Sequence, residues 1–131
     1  MPNKRKVSLR TICMITALSL TACAAAPLAP SGYETDFEEY LTRPHARAFA
    51  IAGAKGDTGP AFGMAVAQVA VRDALDLALA RCEAVQKRYE ETLACRLWAI
   101  GDINVNDMTP AELEAAIAAY RENPGATNDD L

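Results

Sequence analysis

The chain has one histidine, one tryptophan and four cysteines in 131 residues. The lone histidine, His45, follows Pro44 and stands beside Arg47 with no serine–acid pattern near it, so a Ser-His-Asp set is missing. No metal-ligand spacing surrounds it either. Cys-x-x-Cys is absent, which removes a thioredoxin-like redox motif. Neither Gly-x-Gly-x-x-Gly nor Gly-Lys-Ser/Thr occurs, which removes the usual phosphate loops. There is no excess of base: the net charge of −4 disfavours a nucleic-acid partner. No apolar run reaches the ~20 residues that span a bilayer comfortably. A non-enzyme is expected, with no catalytic, cofactor-binding or metal residues and no cofactor.

What is present begins with an uneven charge. Lys4, Arg5, Lys6 and Arg10 open the chain, and no acid precedes Glu34. A short apolar run follows, Thr11 to Leu20 (TICMITALSL), the form of a secretory signal. The run ends at Leu20-Thr21-Ala22-Cys23. With these features the N-terminus resembles the bacterial lipoprotein precursors. Their lipobox is a branched apolar residue, two small residues and a cysteine. The resemblance implies cleavage before Cys23, diacylglycerol on its sulfur and a further fatty acyl chain, such as palmitate, on its amine. Each buried CH₂ then contributes ~0.8 kcal/mol to anchoring. Ala24 rather than an acid follows, which by the sorting habit of this class implies the outer membrane, with the protein facing the periplasm. Two other readings stay open: cleavage by the ordinary signal peptidase to a soluble product, and a buried N-terminal helix with an ordinary cysteine.

Processing would remove residues 1–22 as the signal peptide. Nine basic residues would remain against 17 acidic ones, a net charge of −8. Residues 23–34 read as lipid anchor and flexible tether, about 20 Å in mean span. Residues 35–123 read as a single small globular domain, and 124–131 as a disordered tail. Cys82 and Cys95 are the cysteines left to the domain. An even pair in an exported protein reads as one disulfide, closing a loop of about 14 residues. Two free thiols or a redox switch are the alternatives.

The domain reads as α/β, with α+β possible. Thr35–Leu41 has helical spacing and a Thr35–Glu38 capping box, stopped by Pro44. Residues 46–52 (ARAFAIA) read as a buried strand, small on one face, followed by a loop with Gly53, Gly56, Gly59 and Gly63. Val71, Leu75, Ala78, Cys82, Val85 and Tyr89 recur at helical spacing from about Ala65 onward. A helix running on to Leu93 would carry the chain ~16 Å beyond Cys82, so the disulfide predicts either an end near Lys87 or Arg88 or a Cys95 that lies in a returning arm. Residues 95–100 (CRLWAI) read as a second strand. Strand, helix, strand is a βαβ unit, with parallel pairing by default. Ile103 and Val105 extend this strand or form a third beyond a Gly101-Asp102 turn. Thr109, Pro110 and Glu112 predict the N-cap, first turn and capping box of a C-terminal helix, with Met108 and Leu113 as its staple. Pro124-Gly125 ends it.

This layout is similar to a family of small exported bacterial domains of unknown function. Phe49-Ala50, the helical Ala78-Leu79-Ala80-Arg81-Cys82 and Cys95-Arg96-Leu97-Trp98 carry the likeness, which implies a fold and a helix-to-strand Cys82–Cys95 pair but no activity. Asp102, Asn104 and Asn106 match the first ligand positions of an EF-hand loop. Asp107 replaces its glycine, and Glu112 falls one position short of the bidentate ligand. The functional expectation is a lipid-anchored envelope protein with a small interaction or structural domain and an envelope protein as partner. A small-ligand or calcium-binding module near Asp102–Glu112 is the alternative.

Overall fold

The computed structural model describes residues 26–53, 59–91 and 93–131. The signal, the lipobox with Cys23, and the centre of the glycine loop lie outside the described residues.

Helix α1 spans Glu34–Thr42, strand β1 Ala48–Ala52 and strand β2 Phe62–Ala65. Helix α2 spans Val71–Arg88, β3 Cys95–Ile100, β4 Ile103–Asn104 and α3 Pro110–Glu122. The class is mixed α/β, with a C-terminal helix and a Cys82–Cys95 disulfide joining α2 to β3. The sheet runs β2-β1-β3-β4. A helix does lie between β1 and β3, and these strands pair directly, but every pairing is antiparallel. The parallel crossover is overturned because residues 62–65 add a hairpin strand after β1, and the chain enters α2 after reversing once more. Gly101-Asp102 is the tight turn into β4.

β1 is buried along its whole length, and its alternation sorts the two layers. Ala48, Ala50 and Ala52 face the core shared with α2 and α3. Phe49 and Ile51 join Phe37, Tyr40 and Trp98 beside α1. Both sheet faces are thus covered. The register of β1 on β3 shifts between Phe49 and Ala50, so that Trp98 is the extra residue of a bulge. The bulge lets Trp98 and Ala99 both pack on the α1 side.

α1 begins at Glu34, whose carboxylate accepts the Gly32 N–H at 3.1 Å. The expected Thr35–Glu38 box is not the cap, because the helix already includes Thr35. Phe37 and Tyr40 are its buried face, as the spacing predicts. α3 has the full Thr109–Glu112 capping box with Pro110 at its start.

α2 starts later than its apolar period suggests, since 62–65 is a strand. Its buried face is Val71, Ala74, Leu75, Ala78, Cys82 and Gln86, while Tyr89 is exposed. It ends at Arg88 in a Schellman pattern: Glu91 N–H bonds the Gln86 carbonyl and Glu90 N–H the Lys87 carbonyl. Glu90 holds φ +58°, a left-handed position that costs a side-chain-bearing residue ~1 kcal/mol or more. Glu90→Gly is expected to stabilise the domain by about 0.5–1 kcal/mol, the larger unfolded-state entropy of glycine offsetting part of the relief. Urea titration of the two forms measures it.

The disulfide brings the Cα atoms of Cys82 and Cys95 to 6.1 Å, with Cys82 fully buried. Replacing both cysteines with alanine is expected to cost about 2–3 kcal/mol, chiefly through the freed loop of the unfolded chain. The shift in denaturation midpoint, read beside thiol counting of the native protein, checks this.

Two segments expected to be loose are docked instead. Ala126 is buried, Thr127 bridges Asp102, and residues 128–130 form a short 3₁₀ turn. The Asn128 side-chain amide exchanges hydrogen bonds with the Asn104 backbone at 2.8 and 2.9 Å, covering the β4 edge. The last part of the supposed tether also packs: Pro30 is fully buried and Trp98 Nε1 donates to the Leu28 carbonyl at 2.8 Å.

Candidate functional site

The strongest polar constellation gathers where β1 begins. Arg47 is buried, and its guanidinium pairs with the Asp102 carboxylate and donates to the Arg43 carbonyl. It also lies over the Tyr40 ring, 5.3 Å from the centroid. Tyr40 Oη donates to the Gly101 carbonyl at 2.8 Å. The Arg47 N–H can only donate, so Tyr120 Oη accepts it at 3.1 Å. Tyr120 Oη also shares a hydrogen bond with His45 Nδ1, 2.6 Å away. One network therefore ties α1, β1, the β3–β4 turn and α3.

Burial sets the titration of the network. Desolvation lifts Tyr40 far above the usual phenol range and raises Tyr120 as well. His45 is lowered, first by desolvation and then by the Arg47 charge, with Asp102 opposing. A lowered histidine pKa means the unfolded chain binds the proton more readily. The stabilising contribution is full above the unfolded value of ~6.5 and is lost as pH falls through it toward the folded value. Thermal midpoints are expected to drop between pH 7.5 and pH 5.5, and His45→Gln is expected to flatten that drop. Equal pH slopes for both proteins would remove His45 from the account.

His45 and Tyr120 line an open groove of about 490 Å³, together with Ala46, Gln68 to Val71, Arg121 and Pro124. The groove lies between the start of α2 and the end of α3. Its walls mix apolar groups with one imidazole and one cation.

Sequence reading treats His45 as a lone surface residue, Arg47 as part of a small-faced strand, and Asp102 as an ion-ligand candidate. The structure joins all three. Asp102 is the counter-ion of Arg47, and the Glu112 carboxylate accepts the Thr109 N–H at 2.7 Å. Asn104 and Asn106 bond each other locally, Asn106 N–H to Asn104 Oδ1 at 3.0 Å. Asp102, Asn104 and Glu112 are thus engaged in a salt bridge, a turn and a cap, while Asn106 Oδ1 is buried without a hydrogen-bond partner. Among the described residues, no three His, Cys, Asp or Glu side chains gather where a metal ion could sit. Arg47 was detectable as a lone cation inside an otherwise apolar strand, which demands a buried partner. Tyr40 and Tyr120 had no such signal, since an aromatic on a helical stripe reads as core. Cys82 and Cys95 are brought together, while Cys23 lies outside the described residues.

The chain matches no family model, no curated protein and no solved structure.

Proposed function

We propose that the chain is an exported lipoprotein, held at Cys23 to the outer membrane and facing the periplasm. Its domain acts as a non-catalytic interaction module for an envelope protein. The observation that carries this is the lipobox Leu20-Thr21-Ala22-Cys23, placed at the end of a short apolar core behind four basic residues. The joined Cys82–Cys95 pair is consistent with an oxidising compartment. The mature charge of nine bases against 17 acids suits a well-solvated exported domain.

Helices cover both faces of the sheet, so contact with a partner falls to the groove at His45 and to the β2 edge. At that edge Arg81 bonds the Met64 carbonyl at 2.6 Å and guards the strand. The calcium reading near Asp102–Glu112 is the weaker one, because both carboxylates already serve protein groups.

Metabolic labelling with a palmitate analogue tests the anchor. The wild-type chain takes label, and Cys23→Ser takes none. A Cys23→Ser chain that labels as strongly as wild type would sink the reading.

A further inference from the structure

The segment before α1 is held to the domain at several points. The Leu28 carbonyl accepts Trp98 Nε1 at 2.8 Å and the Asn104 side-chain amide at 3.5 Å. Pro30 is fully buried, and Ala29 and Tyr33 pack against the cluster of Phe37, Phe49 and Trp98. Tyr33 Oη donates to the Gly59 carbonyl at 2.6 Å. The segment therefore crosses the α1 side of the sheet as a strap, from the β4 edge to the start of β2. Among the described residues its first hydrogen-bonded point is Leu28, which is 76% exposed.

Position along the chain gives this docking its consequence. Five residue steps separate Cys23 from Leu28, about 17 Å when fully stretched. A tether that stayed loose as far as Glu34 would let the domain turn freely above the lipid. A strap fixed at Leu28 shortens the leash and attaches it at one defined place.

On that basis we infer that the surface around Leu28 is the membrane-facing pole of the domain, apposed to phospholipid headgroups. The inference rests on the reading of Cys23 as the lipid anchor. The pole comprises Leu28, the strap, and the β4 edge with its Asn104–Asn128 pair. Asp129 and Asp130 follow Asn128 directly, so this pole carries acids beside its exposed leucine. Carboxylates resist entry into the acyl region, so the contact is apposition to headgroups without insertion. The His45 groove lies on the α2 and α3 side of the sheet, the face away from the strap.

Trp98 is the only tryptophan, which makes the test clean. The lipidated full chain is placed in phosphatidylethanolamine–phosphatidylcholine vesicles containing dansyl-labelled phosphatidylethanolamine. Energy transfer from Trp98 is then read for three forms. A twelve-residue Gly/Ser insert between Ala24 and Ala25 adds about 20 Å of mean leash and is expected to lower transfer about twofold or more. The same insert between Ser31 and Gly32 lies beyond the docked Leu28 and is expected to leave transfer unchanged. Slow exchange of the Trp98 indole proton in that second form shows that the strap is still bound. Equal loss in both forms overturns the proposal, as does no loss in either, or fast indole exchange in the uninserted protein. A chain that takes no palmitate label and stays off the vesicles overturns the anchor reading and the proposal with it. A labelled chain with equal loss overturns the proposal alone.

Discussion

Gly63→Ala is expected to cost the domain about 3–4 kcal/mol. A Cβ at this position would lie 2.0 Å from the Ala78 carbonyl oxygen and 2.5 Å from the Cys82 amide nitrogen. Both atoms are α2 backbone, so no side-chain rotation relieves the overlap. The helix would have to back away from β2, opening the layer in which Ala50, Ala65, Ala74 and Ala78 are fully buried. That layer is built from small residues, so each contact depends on close approach. Cys82 resists the shift as well, being bonded to Cys95 on β3. Gly125→Ala supplies the control: its Cβ would meet only the Asn123 side-chain oxygen at 3.4 Å, and it sits at an exposed turn. Urea denaturation of both variants should show a large midpoint shift for Gly63→Ala and a small one for Gly125→Ala. Matching midpoints would mean that α2 does not sit as close to β2 as described.

Gly101→Ala is expected to destabilise by a similar amount, about 3–4 kcal/mol, for two reasons that add. Gly101 holds φ +54°, where a side chain is strained, and its Cβ would come 2.2 Å from Tyr120 Cε2. The Tyr120 ring cannot step aside without losing the Arg47 N–H and His45 Nδ1 bonds. The damage should therefore spread through the network. In Gly101→Ala the His45 titration, followed by proton NMR, is expected to move toward the ordinary histidine value. A destabilised variant with an unmoved His45 titration would show that the turn and the network are independent.

Tyr120→Phe separates these contributions in principle, since it keeps the ring and removes both hydrogen bonds. The network matters because Arg47 is buried with one carboxylate beside it. Such a pair is worth little as net stability but costs several kcal/mol when one partner is removed. Its place at the junction of α1, β1, the β3–β4 turn and α3 suits it to fixing the register of those elements.

The parts of this fold legible in the sequence are those whose signals are local. The α3 cap is written in Thr109, Pro110 and Glu112. The end of α2 at Arg88 is one of the two outcomes that the reach of a disulfide allows, although the residue that turns the chain is Glu90 and not a glycine. The small and large faces of β1 are visible in its alternation. What is hidden depends on distant partners. β2 reads as loop because Gly63 looks like a breaker, when it is the point where helix and strand touch. The antiparallel sense of β1 on β3 depends on that extra strand. The docked tail and strap are rich in Pro, Gly and Ala, a composition that suggests looseness, yet Pro30 and Ala126 are buried and Leu28 and Asn128 supply hydrogen bonds. In the candidate site, Asp102 shows its acid but not its partner 55 positions away.

The proposed function stands or falls on a mature protein that begins at a lipidated Cys23 with a disulfide-pinned domain beyond it. Intact-mass and N-terminal peptide spectrometry of the protein from a Gram-negative host tests it most directly. The expected product is a chain starting at Cys23, heavier than the bare 23–131 polypeptide by its acyl groups, with Cys82 and Cys95 joined. A chain that retains residues 1–22, or that starts elsewhere with an unmodified Cys23, would contradict it.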